Sequence, residues 1–132
     1  MNYDVRIMNG ELNQFLKKYE FATNTHDFSN VAPLLYEKAI YWFSDGSFIG
    51  IDAIRQAFTE TWGKIQNEQY QIRNIEWIGA EEKLAVCTYE FEWKGEVNGK
   101  KLSGIGRGTN VIGKIGNKWK MLHEHLSKSI KP

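Results

Sequence analysis

The fold is decided by GIGRGTNVIGKIGNKWKMLHEHLS, residues 104–127. Its two halves have the pattern typical of β-strands, and the glycine- and asparagine-containing segment 113–117 between them predicts a hairpin. The hairpin brings one arginine, one carboxylate and two histidines, Arg107, Glu124, His123 and His125, within a few residues of each other. Most of the polar chemistry open to this chain is therefore concentrated there.

The stretch before this hairpin continues the strand pattern. Strands are predicted at residues 70–78, at 84–93 and at a segment ending near Ile112, followed by a last strand at 118–127. Asn98-Gly99 is a strong signal for a tight hairpin, and Glu81-Glu82-Lys83 predicts a turn. Because the loops between consecutive strands are short, we expect an antiparallel meander.

The first half of the chain is mostly helical. Apolar residues at helical spacing predict a helix over 10–23, and Asp27 can cap a short second helix. Residues 39–43 form a β run that ends in a turn at 44–47, and a third helix follows Gly50. The fold class is therefore α+β: three helices in the N-terminal half cover the concave face of a strongly curved, cone-shaped sheet, mixed or antiparallel.

Length and composition narrow the classes of function. The 132 residues form one domain, 1–132, and the net charge of +1 gives no reason to expect nucleic acid or an anionic membrane as a partner. The single cysteine, Cys87, excludes an intrachain disulfide and is expected to be buried and inert. No signal peptide and no apolar run of about 20 residues is recognisable, so a cytoplasmic protein is expected. Aromatic residues reach 14%, which favours either a large core or an aromatic cavity.

The order of elements resembles the nuclear-transport-factor-2-like superfamily, which includes ketosteroid isomerases, SnoaL-like cyclases, scytalone dehydratases and the calcium/calmodulin-dependent kinase II association domain. The resemblance rests on segment 27–39 (DFSNVAPLLYEKA), on the helix start 50–54 (GIDAI) and on the ending 116–127. That ending contains His-x-His-x-Ser, which is similar to the end of the kinase association domain. Because this fold carries many functions, the resemblance implies fold more strongly than activity.

The resemblance to ketosteroid isomerase implies roles for a few positions. Tyr19 falls where that family keeps its oxyanion-hole tyrosine. Phe43 replaces the general base and Thr109 replaces a protonated aspartic acid, so a steroid isomerase using that mechanism is not expected. Asp45 could serve as a displaced base, although its Ser-Asp-Gly-Ser context favours an ordinary turn.

Strand alternation predicts which side chains face the interior. Cys87, Tyr89 and Phe91 share an apolar face of their strand. The isomerase correspondence and a loop at 114–117 place Arg107 beside Glu124 on the concave face, either as a structural ion pair or as ligand-binding groups. The predicted pocket has an aromatic and apolar wall above a polar floor: Tyr19, Tyr41, Phe43, Phe58, Trp62, Tyr89, Phe91 and Leu122 for the wall, and Arg107, Thr109 and Glu124 for the floor.

The same alternation places His123 and His125 on the convex face, together with Trp119 and Met121. We expect this face to form a homodimer because no helix is left to cover it. No metal site is expected, since two histidines at i, i+2 lack a third nearby ligand. A β-bulge would shift the alternation by one and exchange the two faces.

Three hypotheses about function remain open. The leading one is a domain that binds a small molecule in an apolar, aromatic-lined pocket. The second is a cofactor-free isomerase, cyclase or dehydratase, with Glu124 or Asp45 as general base and Tyr19 and Arg107 stabilising an enolate. The third is an assembly module with a filled cavity. A defined cavity would favour the first two, and a raised pKa of Glu124 would favour the enzyme.

Overall fold

The structure is a computed structural model that describes residues 5–129, with side chains from residue 7 onward. The ends of the predicted domain, residues 1–4 and 130–132, lie outside this range. The helices are α1 (Val5–Asn24), α2 (Phe28–Val31) and α3 (Ile51–Lys64), with a 3-10 turn at Ala32–Leu34. The strands are β1 (Leu35–Phe43), β2 (Gly46–Ile49), β3 (Gln66–Ala80), β4 (Leu84–Val97), β5 (Lys100–Ile115) and β6 (Lys118–Lys128).

The six strands form one mixed sheet in the order β2-β1-β6-β5-β4-β3. Strands β3 to β6 are an antiparallel meander, as expected, whereas β1 pairs with β6 in parallel. The expected α+β class with three helices is confirmed. The short strand β2 was not predicted, and it occupies part of the segment interpreted as a turn, so that the turn itself contains only Ser44 and Asp45.

The helices pack on one face of the sheet, here called the concave face. The predicted stripe of α1 is buried there: Leu12, Phe15, Leu16 and Tyr19 are all at most 7% exposed. The side chain of Asp27 accepts a hydrogen bond from the backbone N–H of Ser29 at 3.0 Å, which caps α2 as predicted. The buried stripe brings Tyr19 onto the sheet, where its hydroxyl lies 2.8 Å from that of Tyr41 on β1.

The Asn98-Gly99 hairpin forms as predicted and aligns β4 with β5, pairing Val97 with Lys100. Counting back from this turn sets Trp93 opposite Gly104, Phe91 opposite Gly106 and Tyr89 opposite Gly108. In each pair the aromatic ring lies over its glycine, because a Cβ added at the glycine would overlap the ring. The glycines therefore face the concave side, and the side chains between them face outward.

This alignment corrects the expected orientation of β5. Ile105, Arg107 and Thr109 were expected to point inward, but they alternate with the glycines and lie on the opposite, convex face. Ile105 is 49% exposed and Arg107 is exposed. The inward positions belong instead to Asn110 and Ile112, which are both fully buried.

Strand β6 contains a β-bulge, the feature that was expected to shift the alternation by one residue and exchange the two faces. Val111 pairs with His123 and Ile112 pairs with Met121, so Leu122 is the extra residue. Met121 and Glu124 consequently both face the core, at 0% and 2% exposure. The hairpin turn is also tighter than expected, because Ile115 rather than Gly113 pairs across it with Lys118.

The bulge divides the set of residues expected on the convex face. His123 alternates with the buried Glu124, and its Nδ1 lies 2.6 Å from the backbone carbonyl oxygen of Ile40. Trp119 and Met121 were expected beside it but face the helices, where the indole N–H of Trp119 donates to Glu11 on α1 at 3.4 Å. Their placement on the convex face was therefore wrong.

We predict that Gly106→Ala destabilises the fold by about 1–3 kcal/mol, because the new methyl group would overlap the Phe91 ring and the backbone carbonyl oxygen of Ser127. Gly79→Ala is the matched control, since Gly79 is also a strand glycine and a methyl group there would meet no heavy atom within 4 Å. Urea unfolding measures both variants. Equal stability of the two variants would contradict the packing of rings on glycines.

Candidate functional site

A cavity of about 740 Å³ opens between α1, α3 and the concave face. This volume lies within the range of roughly 300–1,000 Å³ that is typical of small-molecule sites. Its wall contains rings from five elements, α1, β1, α3, β3 and β4. The exposed residues Ser44, Asp45, Lys64 and Lys128 mark its mouth. The aromatic residues that line it are Tyr19, Phe43, Phe58, Trp62, Tyr70, Phe91 and Trp93.

Glu124 lies at the floor of this cavity. Strand register places it opposite Asn110, and both side chains are almost completely buried. The hydroxyl of Tyr89 lies between them, 3.3 Å from Oε1 of Glu124 and 3.1 Å from Oδ1 of Asn110, and it can donate to either oxygen. Within residues 7–129 no cation lies within ion-pair distance of the Glu124 carboxylate.

Burial without a countercharge raises the pKa of Glu124 from 4.5 to about 7. The donor groups of Tyr19, Tyr89 and Asn110 act in the opposite direction, because nearby donors favour the carboxylate, but burial outweighs them. Of the three, Tyr89 makes a hydrogen bond to Glu124, at 3.3 Å. A carboxyl group with such a pKa exchanges protons readily near neutral pH.

Tyrosine hydroxyl groups surround this carboxyl group. The hydroxyls of Tyr19 and Tyr41 are 2.8 Å apart and buried. The hydroxyl of Tyr70 is also buried; it lies close enough to the hydroxyl of Tyr89 to affect its pKa, but it makes no hydrogen bond of normal geometry among the described residues. Burial, reinforced by the charge of Glu124, raises the pKa of all these phenols, Tyr89 included, so they remain protonated donors at neutral pH.

Most of the predicted pocket residues lie at this cavity. Tyr19, Phe43, Asp45, Phe58, Trp62, Phe91 and Glu124 line it. Tyr41 and Tyr89 are buried behind that lining, where they hydrogen-bond to Tyr19 and Glu124 respectively. Asp45 is exposed in the β1–β2 turn at the mouth. The roles assigned to these residues in ligand binding or catalysis stay predictions.

Three of the predicted residues lie elsewhere. Arg107 and Thr109 are on the convex face, so the expected pair of Arg107 with Glu124 does not form; Arg107 pairs in register with Ser127 instead. Leu122 is displaced by the bulge, and its side chain covers Gly113 rather than the cavity. The polar floor that was expected from Arg107 and Thr109 is supplied by Asn110 and tyrosine hydroxyls.

Sequence reasoning missed Asn110, Tyr70, Thr23 and Glu68. Asn110 could have been found by counting from the Asn98-Gly99 turn, which sets it opposite the inward-facing Cys87. Tyr70 could not be placed by counting from the next turn, because β3 carries irregularities between Arg73 and Glu76 and again between Trp77 and Gly79. Thr23 and Glu68 meet at the cavity only through the packing of α1 on β3.

Neither a metal-binding cluster nor a membrane-spanning helix is found among the residues that the structure describes. No group of three or more histidine, cysteine, aspartate or glutamate side chains among them is placed to hold a metal ion. None of their helices combines the length and apolar character that a membrane crossing needs.

The architecture is that of the nuclear-transport-factor-2-like, or cystatin-like, fold. A superfamily member from Salmonella enterica serovar Typhimurium superposes with a TM-score of 0.88 at 18% identity, covering 97% of this chain and 95% of that one. A candidate calcium/calmodulin-dependent kinase II association domain from Xanthomonas campestris gives 0.80 at 20% identity, covering 90% and 86%. A candidate scytalone dehydratase from Novosphingobium aromaticivorans gives 0.82 at 14% identity, covering 94% and 85%. At these identities the similarity establishes the fold alone.

The family follows from the sequence itself. Residues 12–131 match the family model of the SnoaL-like domain, so this chain belongs to that family. No match was found among curated proteins. The expected superfamily is thereby confirmed, and the activity has to be argued from the cavity.

Proposed function

We propose that the cavity binds a small, largely apolar molecule with a carbonyl or hydroxyl oxygen, and that Glu124 transfers a proton on it. The observation that supports this proposal is the burial of one carboxyl group, that of Glu124, on the floor of an aromatic cavity. Among the described residues this group has no ion-pair partner. A protein that only binds an apolar ligand gains nothing from burying a carboxylate, since that burial is costly. An acid–base catalyst needs a group of this kind, with its pKa near the working pH.

The chemistry follows from the groups around Glu124. The ionised carboxylate takes a proton from a carbon next to a carbonyl group, and the electron pair moves onto the carbonyl oxygen. The hydroxyl of Tyr70, which is buried and makes no hydrogen bond of normal geometry within the described chain, is available to donate to that oxygen. Return of the proton from Glu124 to another carbon of the conjugated system completes an isomerisation. In a dehydration, Glu124 instead gives the proton to a β-hydroxyl group, which leaves as water while the enolate electrons re-form the carbonyl and a new C=C bond.

Tyr19 and Tyr89 would position the carboxylate. Tyr89 donates to Glu124 directly, and Tyr19 is held in place by its 2.8 Å contact with Tyr41. Asp45, the other predicted base, is exposed in a turn, where water screens its charge. Glu124 is therefore the better supported base.

The titration of Glu124 predicts a pH dependence that can be measured with 2-tetralone, an aromatic ketone with exchangeable α-hydrogens. We expect the protein to accelerate exchange of these hydrogens with D2O, with a rate that rises as pH increases through about 7. The rate rises because the ionised carboxylate is the base. Glu124→Gln should lower the rate by about 100-fold or more, and NMR integration of the α-hydrogens measures it.

The matched control is Glu90→Gln, which makes the same change at an exposed position of β4 outside the cavity. This variant should exchange like the wild type. Binding of 2-tetralone without accelerated exchange would leave the simpler binding function and contradict proton transfer. An unchanged rate in Glu124→Gln would exclude Glu124 as the base.

We also propose that two copies of the chain associate through the convex face, as the sequence led us to expect. Ile40 and Trp42 are exposed there, at 38% and 46% accessibility. The Trp42 ring packs edge-on against His123 and His125, at 5.1 and 5.5 Å between ring centroids. The three rings therefore form one continuous aromatic surface. An apolar surface of this kind on a sheet marks a site of protein association.

Sedimentation tests this association. We expect a dimer at micromolar concentration and a monomer for Trp42→Glu, because a buried unpaired charge would oppose the contact. Phe21→Glu is the control, since Phe21 is 75% exposed on α1 and away from the sheet. A monomeric wild type, or equal dissociation of both variants, would refute the convex interface.

A further inference from the structure

The cavity contains a second polar region, formed by Glu68 on β3 and Thr23 on α1. Both residues line the cavity. Thr23 is 8% exposed, and its buried hydroxyl group has no hydrogen-bond partner in the described part of the chain. Buried polar groups are nearly always hydrogen-bonded, so an unpartnered hydroxyl group in a cavity wall indicates a position for a ligand atom.

Side-chain contacts from the residues that follow Thr23 fix the end of α1 against the part of β3 that contains Glu68. The side chain of Asn24 donates to the backbone carbonyl oxygen of Tyr70 at 2.8 Å and accepts from its N–H at 2.7 Å. The Nε2 atom of His26 lies 2.8 Å from the backbone carbonyl oxygen of Glu68. The end of α1 is therefore fixed on β3, and the free hydroxyl group of Thr23 has a defined place in the fold.

The charges along the cavity favour a cation. The carboxylates of Glu68 and Glu124 lie in its wall, whereas the lining lysines, Lys64 and Lys128, are exposed at its mouth. Burial raises the pKa of Glu68 to about 7, and among the described residues no cation lies within ion-pair distance of its carboxylate. A cationic ligand would supply that charge, and an anionic ligand would be repelled.

The Trp62 ring is linked to the same region through His26, which contacts both the indole ring and the backbone of Glu68. Trp62 lines the cavity and packs edge-on against Phe58, at 5.6 Å between ring centroids. His26 stacks on Trp62 at 5.4 Å, which fixes the orientation of the indole ring. Ammonium groups bind favourably next to aromatic rings, and tryptophan is the most favourable of these.

From the carboxylate of Glu68, the free hydroxyl group of Thr23 and the ring of Trp62, we infer that the ligand carries a protonated amine that binds beside these residues. This inference rests on the proposed function, because it assigns one end of the molecule whose other end reaches Glu124. An ammonium group donates up to three hydrogen bonds, which Glu68 and Thr23 can accept. The substrate class is therefore an aryl-alkyl amine that also bears an oxygen function.

Two probes of nearly equal shape test this inference, phenethylamine and phenethyl alcohol. The cavity should bind the amine about tenfold more tightly, and the preference should fall below about twofold in Glu68→Gln. Trp62 and Trp93 line the cavity, so indole fluorescence reports binding of either probe. Glu76→Gln, an equivalent change at an exposed position of β3 outside the cavity, should retain the full preference.

Each other outcome excludes a defined part of the account. Equal binding of the two probes to the wild type would refute the amine and leave the proposed cavity function intact. A preference that persists in Glu68→Gln and is lost in Glu124→Gln would refute the assignment to Glu68. Binding of neither probe at about 10 mM would contradict the proposed function as well.

Discussion

The packing of three aromatic rings on three glycines is the contact on which the rest of this structure depends. Trp93, Phe91 and Tyr89 on β4 lie over Gly104, Gly106 and Gly108 on β5. Any side chain larger than a hydrogen atom at these glycines would overlap the ring above it. This packing sets the orientation of β5 and turns Asn110 inward. It also places the hydroxyl of Tyr89 against Glu124, so the wall of the cavity and its polar floor are built by the same contact.

The carboxyl group on that floor makes the fold less stable at neutral pH. Its pKa rises from 4.5 in an ordinary setting to about 7 when buried, so the folded state holds the proton more tightly than the unfolded chain does. The resulting stability is fully present below pH 4.5 and is lost as pH rises through 7, at a cost on the order of 3 kcal/mol. Glu68 shifts in the same direction. A cost of this size is typical of functional sites, where structure is arranged for chemistry rather than for stability.

Most of the fold could be predicted from local sequence patterns. The site could not, because its position depends on which residues of neighbouring strands pair with each other. The stripe of α1, the cap at Asp27 and the Asn98-Gly99 turn each act within a few residues, so the sequence is sufficient to recognise them. The inward position of Glu124 was also correct, although the bulge at Leu122 separates it from the alternation of the preceding residues. The positions of Trp119 and Met121 were wrong because the extra residue Leu122 reverses the alternation between them and Glu124. The position of Arg107 was wrong because the pairing of β5 with β4 turns the glycines inward and Arg107 outward. Thr23 and Glu68 come together through tertiary packing, for which the sequence carries no local signal.

The most direct test of the account is the titration of the Glu124 carboxyl group in the folded protein. Carbon-13 labelling of glutamate side chains makes each carboxyl group visible by NMR, and the signal of Glu124 is the one absent from Glu124→Gln. Burial without a countercharge predicts a titration midpoint of about 7 for this signal. A midpoint near the ordinary value of 4.5 would contradict it, because the carboxyl group would then be solvated or paired rather than buried without a countercharge.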